Sequence, residues 1–151
     1  MNDIYKRDIE MIKMLKEDGR ISDAEIARRL KLSKTTIRWR RMKLIQEKKI
    51  MIIAVMIYDN IGYSYARVGI KLKKDTPQSD IQELEKEFIK NKNIYEIFEA
   101  IGTYDIVLGF CAEKAQDLYK IIHKTLRGRN EIMDYDVSIF MKSLKVWGIP
   151  I

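Results

Sequence analysis

The sequence is short of the residues from which most reactive sites are built. Its 151 residues include one cysteine and one histidine. Cys111 has no second cysteine for an internal disulfide. Its place in an apolar run reads as a buried spacer rather than a reactive thiol. His123 stands beside Lys124 on a helical stretch, with no Cys or acid at ligand spacing, and reads as an exposed helical side chain. No Walker loop, nucleophile elbow or metal-ligand spacing occurs. Glu96 and Glu99 fall on opposite faces of one strand and make no carboxylate pair. Neither catalysis, nor a metal, nor a cofactor is expected. Long apolar runs are missing too, since residues 50–57 are far too few to cross a bilayer. The first eight residues hold no apolar signal-peptide core. A cytoplasmic protein without membrane contact is therefore expected.

Acidic residues are absent from one window. None falls between Ile26 and Gln46, a span that holds Arg28, Arg29, Lys31, Lys34, Arg38, Arg40, Arg41 and Lys43. Residues 1–50 carry 15 Lys+Arg against 8 Asp+Glu, which is +7. The rest carries 29−15 = 14 basic and 22−8 = 14 acidic residues, which is zero. All the excess charge thus sits in the first third. A polyanion such as DNA is its natural partner; the alternative is a solvated basic helix face.

Local patterns divide the chain. Met11, Ile12 and Leu15, with Ile4 before them, form the apolar face of a first helix, and Gly19 suits its end. Ser22 and Glu25 make a capping box for a second helix whose face is Ile26, Ala27 and Leu30. Ser33 can cap a third, in which Ile37 and Leu44 share a face, ending near Lys48. Residues 50–58 are β-prone, and the turn signal 59–62 closes a β-strand linker over 51–62. The domains expected are 1–50, the linker, and 63–151.

The second domain alternates strand and helix. Ala66, Val68, Ile70 and Leu72 mark a strand with one buried face. Ser79 reads as the cap of a helix with Ile81, Leu84, Phe88 and Ile89 on one face. Strands over 94–101 and through Ile106, Leu108 and Phe110 flank the turn Gly102-Thr103-Tyr104. Ala115, Leu118, Tyr119, Ile122 and Leu126 mark a helix that Gly128 ends, and Val137, Ile139 and Met141 mark a last strand. The fold class is α+β: a winged helix-turn-helix, then a ferredoxin-like β-α-β-β-α-β sandwich.

Two short helices separated by Lys31-Leu32, the second opening on a capping Ser, are the spacing of a helix-turn-helix. Ala27 sits where the helices approach. The N-terminal residues of the second helix then meet base edges in a major groove. Arg and Lys suit guanine there, and Thr methyls suit thymine. The candidate DNA contacts are Ser22, Ser33, Lys34, Thr35, Thr36, Arg38, Trp39, Arg40, Arg41 and Lys43. For Trp39, packing on the neighbouring strand is favoured slightly over contact with a thymine methyl.

The whole chain resembles the Lrp/AsnC, or feast/famine, regulators. The matching residues are Asp8, Met11, Ile12, Leu15, Asp18 to Ser22, Glu25 to Arg29, Leu32, Ser33, Thr36, Ile37 and Arg40. The turn 59–63 and the segment Gly102-Thr103-Tyr104-Asp105 match as well. Lys31, Arg41 and Lys48 depart from the family pattern, Lys31 and Lys48 standing where Gly is usual. The resemblance implies the family's amino-acid-metabolism regulatory domain, and a free amino acid bound at an interface between such domains. The residues that would hold it are Phe98 and Tyr104 as pocket walls, Gly102 for backbone donors, Asp105 and Asp136 for the ammonium, and Ser138. Asp105 and Asp136 are expected to meet only across a subunit contact. The competing reading makes 102–105 a tight turn.

Tyr65, Val107, Cys111 and Phe140 leave one sheet face apolar and uncovered, so a homodimer or higher homo-oligomer is expected. The apolar end Val146 to Ile151, with Trp147, is expected to dock on the body or on a partner. The function expected is sequence-specific binding of double-stranded DNA and regulation of transcription, modulated by a small molecule. The alternatives are an architectural DNA-binding protein without effector, and a metabolite-sensing domain acting on a protein partner.

Overall fold

A computed structural model describes residues 6–151; the expected contribution of Ile4 lies outside them. The chain divides into two compact units, Met1–Val55 and Met56–Ile151.

The first unit is three helices, α1 Lys6–Glu17, α2 Asp23–Leu30 and α3 Lys34–Gln46. Both serine caps form, while the Glu25 carboxylate expected to reach back to Ser22 accepts from Arg28 and Arg29 instead. Ser22 Oγ accepts the Glu25 N–H and Ser33 Oγ accepts the Thr36 N–H, both at 3.1 Å, satisfying N–H groups that the first helical turn leaves open. Met11, Leu15, Ile21, Ile26, Ala27, Leu30, Ile37 and Leu44 close one core. Fully burying each large side chain there contributes roughly 1.5–3 kcal/mol. The turn after α2 places Lys31 at φ 53°, and the Leu32 N–H reaches back to the Ala27 carbonyl at 3.0 Å. Lys48 does the same after α3, at φ 55°. Both lysines occupy a left-handed geometry that Gly adopts without a Cβ penalty.

The strand expected across residues 50–58 does not form. Residues 51–57 have no regular structure, and Tyr58–Ile61 is a 3-10 turn. A strand needs a neighbour for its N–H and C=O groups, and the sheet of this chain pairs none with the segment. Met51, Ile53 and Val55 are consequently exposed.

The second unit runs β1 Ser64–Leu72, α4 Gln78–Lys90, β2 Ile94–Glu99, β3 Ile106–Ala112, α5 Ala115–Leu126 and β4 Ile132–Phe140. The sheet is antiparallel in the order β2-β3-β1-β4, the ferredoxin-like arrangement. Ala66, Val68 and Ile70 of β1 and Ile106, Leu108 and Phe110 of β3 pack against Leu84 and Phe88 of α4 and Leu118 and Ile122 of α5. Helix α4 starts two residues earlier than expected. Its cap is Pro77, while Ser79 Oγ bonds to Asp80. Ile89 points to solvent at 72 % exposure, because the apolar face needed only Leu84 and Phe88 at its centre. Strand β2 stops at Glu99, leaving Ile101 in the turn, and Met141 lies beyond β4. Strands β5 Lys145–Val146 and β6 Ile149–Pro150 form a C-terminal hairpin whose two-residue turn, Trp147-Gly148, has positive φ at both positions. Trp147 is 67 % exposed and so is not docked on the body of its own unit. His123 is half-buried rather than exposed, its ring 4.3 Å from that of Tyr119.

Candidate DNA interface and ligand-domain face

In the first unit, α3 sorts its polar residues by face. Lys34, Thr35 and Arg38 lie exposed near its N-terminus. Ser22 and Ser33 cap α2 and α3, and the Thr36 hydroxyl lies 2.8 Å from Ser33 Oγ. Trp39 is 59 % exposed, which overturns the expected packing on a strand that does not form. Lys43 Nζ sits 5.1 Å from the centre of its ring. Arg40 and Arg41 turn inward. Arg40 pairs with Asp8 of α1 at 2.9 Å. Arg41 pairs with Asp23 at 3.0 Å and donates to the Ile21 carbonyl at 2.9 Å. Those two guanidiniums hold helices together, and their charge is met by carboxylates far off in sequence. The basic count of 26–46 therefore overstates the charge offered to a ligand.

Arg28 and Arg29 are tied to Glu25, at 2.7 and 2.6 Å. Hydrogen bonds from Arg28, then Arg29, lower the Glu25 carboxyl to about 2. Sequence reasoning missed that Met42 and Ile45 continue the exposed line of Trp39 along α3. The i, i+3 spacing of these three carries that signal.

In the second unit, helices cover one sheet face and the other is open. The open face of β1 presents Tyr65, Arg67, Gly69 and Lys71. The cross-strand register sets Tyr65 between Cys111 and Phe140, Arg67 between Gly109 and Ser138, and Gly69 between Val107 and Asp136. Glu96 and Phe98 of β2 join the same rows, opposite Gly109 and Val107. The Cys111 end is less bare than expected. Tyr58 stacks on Tyr65 at 5.2 Å and meets Tyr95 edge-on at 6.0 Å. Cys111 is buried there, and that burial raises its thiol pKa, consistent with an inert spacer.

Of the six residues read as effector contacts, Tyr104 and Asp136 lie at Gly69, while Phe98 stands beyond Val107 in the same row and Ser138 in the next row, opposite Arg67. The Tyr104 ring lies over Gly69, occupying the place of a Cβ. Gly102 is in the β2–β3 turn at φ 147°. Asp105 is different. Its Oδ2 accepts the Leu72 N–H at 2.8 Å and its Oδ1 accepts from Lys71 Nζ at 3.0 Å. The Leu72 N–H, then Lys71, hold its carboxyl below the usual range. Each oxygen thus accepts one hydrogen bond within the chain, and Asp105 fastens the start of β3 to the end of β1. The two segments need no subunit contact to meet: strands β3 and β4 flank β1, which brings Tyr104 and Asp136 to either side of Gly69 within one chain.

Among the described residues no group of three or more His, Cys, Asp or Glu gathers as a metal site would. No helix there is long and apolar enough to cross a membrane.

Comparison with known proteins matches both units. A winged helix-turn-helix DNA-binding model matches residues 6–51, and the Lrp/AsnC ligand binding domain matches 65–147. An uncharacterised HTH-type transcriptional regulator of Pyrococcus horikoshii is 39% identical over 147 residues, covering 97% of this chain and 92% of that protein. The AsnC structure from E. coli superposes with a TM-score of 0.75 at 20% identity, covering 95% of this chain and 96% of that one. A transcriptional regulator of Neisseria meningitidis in complex with L-Met superposes equally well, at 0.75 and 20%, covering 95% and 94%.

Proposed function

The chain belongs to the Lrp/AsnC family of transcription regulators, not of enzymes, and from that premise we propose that it binds a specific operator as a homodimer or higher homo-oligomer, under control of an amino acid. The observation that carries the DNA reading is the division of α3. Arg40 and Arg41 brace the three helices, leaving Lys34, Thr35 and Arg38 free to enter a major groove. Arg38→Ala is expected to weaken operator binding by roughly 1–3 kcal/mol, about 5- to 150-fold. Fluorescence anisotropy on operator and on random DNA checks it. An equal loss on both makes Arg38 a phosphate contact and shifts base reading elsewhere. A specificity ratio near one for the unmutated protein favours architectural binding. The working place of such a protein is beside the DNA, in the cytoplasm.

The dimer reading is supported by the exposed apolar stretch 51–56, which pairs with no strand among the described residues, and by the open sheet face. A second copy would bring two recognition helices about 34 Å apart, one DNA turn. Sedimentation showing a monomer at micromolar concentration would sink it.

The effector reading draws on the L-Met complex of the Neisseria regulator and on the cluster around Gly69. Of the two acids read for the ammonium, Asp136 carries the role here, with Phe98 and Tyr104 as walls and Gly102 and Ser138 as polar neighbours. A thermal-shift screen of the twenty amino acids tests it, since a bound ligand raises stability by mass action. At least one amino acid is expected to raise the melting temperature at millimolar concentration, and Asp136→Asn to abolish that rise. No shift with any of them removes the effector half and leaves DNA binding standing.

A further inference from the structure

Helix α3 turns two large apolar side chains away from the core it helps to build. Ile37 and Leu44 are buried in the helical unit and mark its inner side. Measured round the helix axis from Ile37, at about 100° per residue, Trp39 stands at roughly 200°, Thr35 at roughly 160° and Met42 at roughly 140°. These three share the outermost side. Trp39 is 59 % and Met42 47 % exposed. Ile45, at roughly 80°, has turned back toward the inner side and leaves the strip. Arg38, at roughly 100°, and Lys43, at roughly 240°, stand on its two flanks, and both are exposed. Lys43 Nζ lies 5.1 Å from the centre of the Trp39 ring, a cation–π contact that limits where the indole can swing.

We infer that Trp39, supported by Met42, reads thymine in the operator by packing on its C5-methyl group. This rests on the DNA-binding reading above and gives one side chain its base. Large apolar groups on the outermost side of a helix gain free energy only from a partner that takes them out of water. Charge complementarity decides which partner. No acidic residue falls between Ile26 and Gln46, and basic side chains border the strip on both flanks. A major groove has the matching arrangement, with anionic phosphates along its rims and base edges on its floor. On that floor the thymine methyl is the apolar group, standing beside the O4 acceptor of the same base. An indole meets both, since it is an apolar ring with a single N–H donor. Guanine instead presents two acceptors side by side, which suit Arg38 or Lys34. The place along the helix agrees, because Trp39 lies in the N-terminal half of α3, the half that meets base edges.

Deoxyuridine is thymidine without its methyl group and tests the contact. The full chain first selects its operator from a pool of random duplexes. Each thymidine of the selected duplex is then replaced in turn by deoxyuridine, and binding is read by fluorescence anisotropy. With the unmutated protein, at least one replacement is expected to weaken binding about fourfold, the loss of burying one carbon. Trp39→Ala is expected to bind the all-thymidine operator at least about fivefold more weakly, and to bind it no better than the duplex carrying deoxyuridine at the sensitive position. Its affinity for random duplexes should stay within about twofold of the unmutated protein's, because phosphate contacts dominate there. Circular dichroism checks that the variant folds; if it does not, Trp39→Gln replaces it with the same expectations. An operator with no thymidine that responds to loss of its methyl, or a Trp39→Ala protein that still tells the two duplexes apart, overturns the proposal while operator binding stands. An equal loss on random duplexes also overturns it, since Trp39 then touches the DNA backbone. A pool from which no sequence is enriched overturns the operator reading itself, and thymine reading with it.

Discussion

Asp8→Ala is expected to destabilise the helical unit by roughly 3–5 kcal/mol, enough to threaten a small domain of marginal stability. Asp8 is the one charged or polar residue among the buried set of the described residues, and its Oδ1 receives Arg40 Nη1 at 2.9 Å. Removing the carboxylate takes that counter-charge from the half-buried Arg40, and breaking a desolvated ion pair costs more than the pair's net worth. The expectation separates from a simple packing loss by a second variant. Asp8→Leu combined with Arg40→Met removes both charges and fills the space, and should recover most of the loss. Urea unfolding of the full chain followed by circular dichroism measures both. Asp8→Ala within about 0.5 kcal/mol of the unmutated protein would place the pair among surface contacts of little consequence.

Gly69→Val is expected to cost about 3 kcal/mol, the upper end for overpacking. A Cβ at Gly69 would lie 2.6 Å from the Cγ of Tyr104, the root of the ring rather than its flexible end. The ring must swing off the sheet, exposing the middle of β1 and opening the neighbourhood of Asp136. Tyr104→Ala in the same chain removes the conflict, so the double variant should be less destabilised than the sum of the singles. Thermal unfolding of the four proteins measures the coupling. Additive losses would mean that Tyr104 does not rest on Gly69 in solution. The same ring contributes to the proposed effector pocket, so Gly69→Val should also abolish any amino-acid-induced thermal shift.

Much of the fold was legible because it is written in neighbours. Ser22 with Glu25 and Ser33 with Thr36 are contacts within three residues, so a cap is visible in the string itself. The alternation of Ala66, Val68 and Ile70 shows which face of β1 is buried before any partner strand is known. The strand expected at 50–58 failed for the complementary reason. Residue type measures how well a segment would suit a sheet, but a strand exists only where another backbone lies alongside, and none does among the described residues.

The candidate site divides in the same way. The helix-turn-helix, the concentration of positive charge in residues 1–50, the β-α-β-β-α-β order and the position of the Gly102–Asp105 turn all follow from local spacing and composition. What each charge does depends instead on contacts between elements far apart in the chain. Arg38 and Arg40 are two residues apart on one helix, a rotation of about 200°. One therefore faces solvent while the other meets Asp8, 32 positions away along the chain. Asp105 and Asp136 look alike as acids on open strand positions. Yet the Leu72 N–H and Lys71 close over the first, while the second stands beside Gly69 under no such bond. A side chain's charge is a property of the residue, but its partner is set by packing between elements distant in sequence.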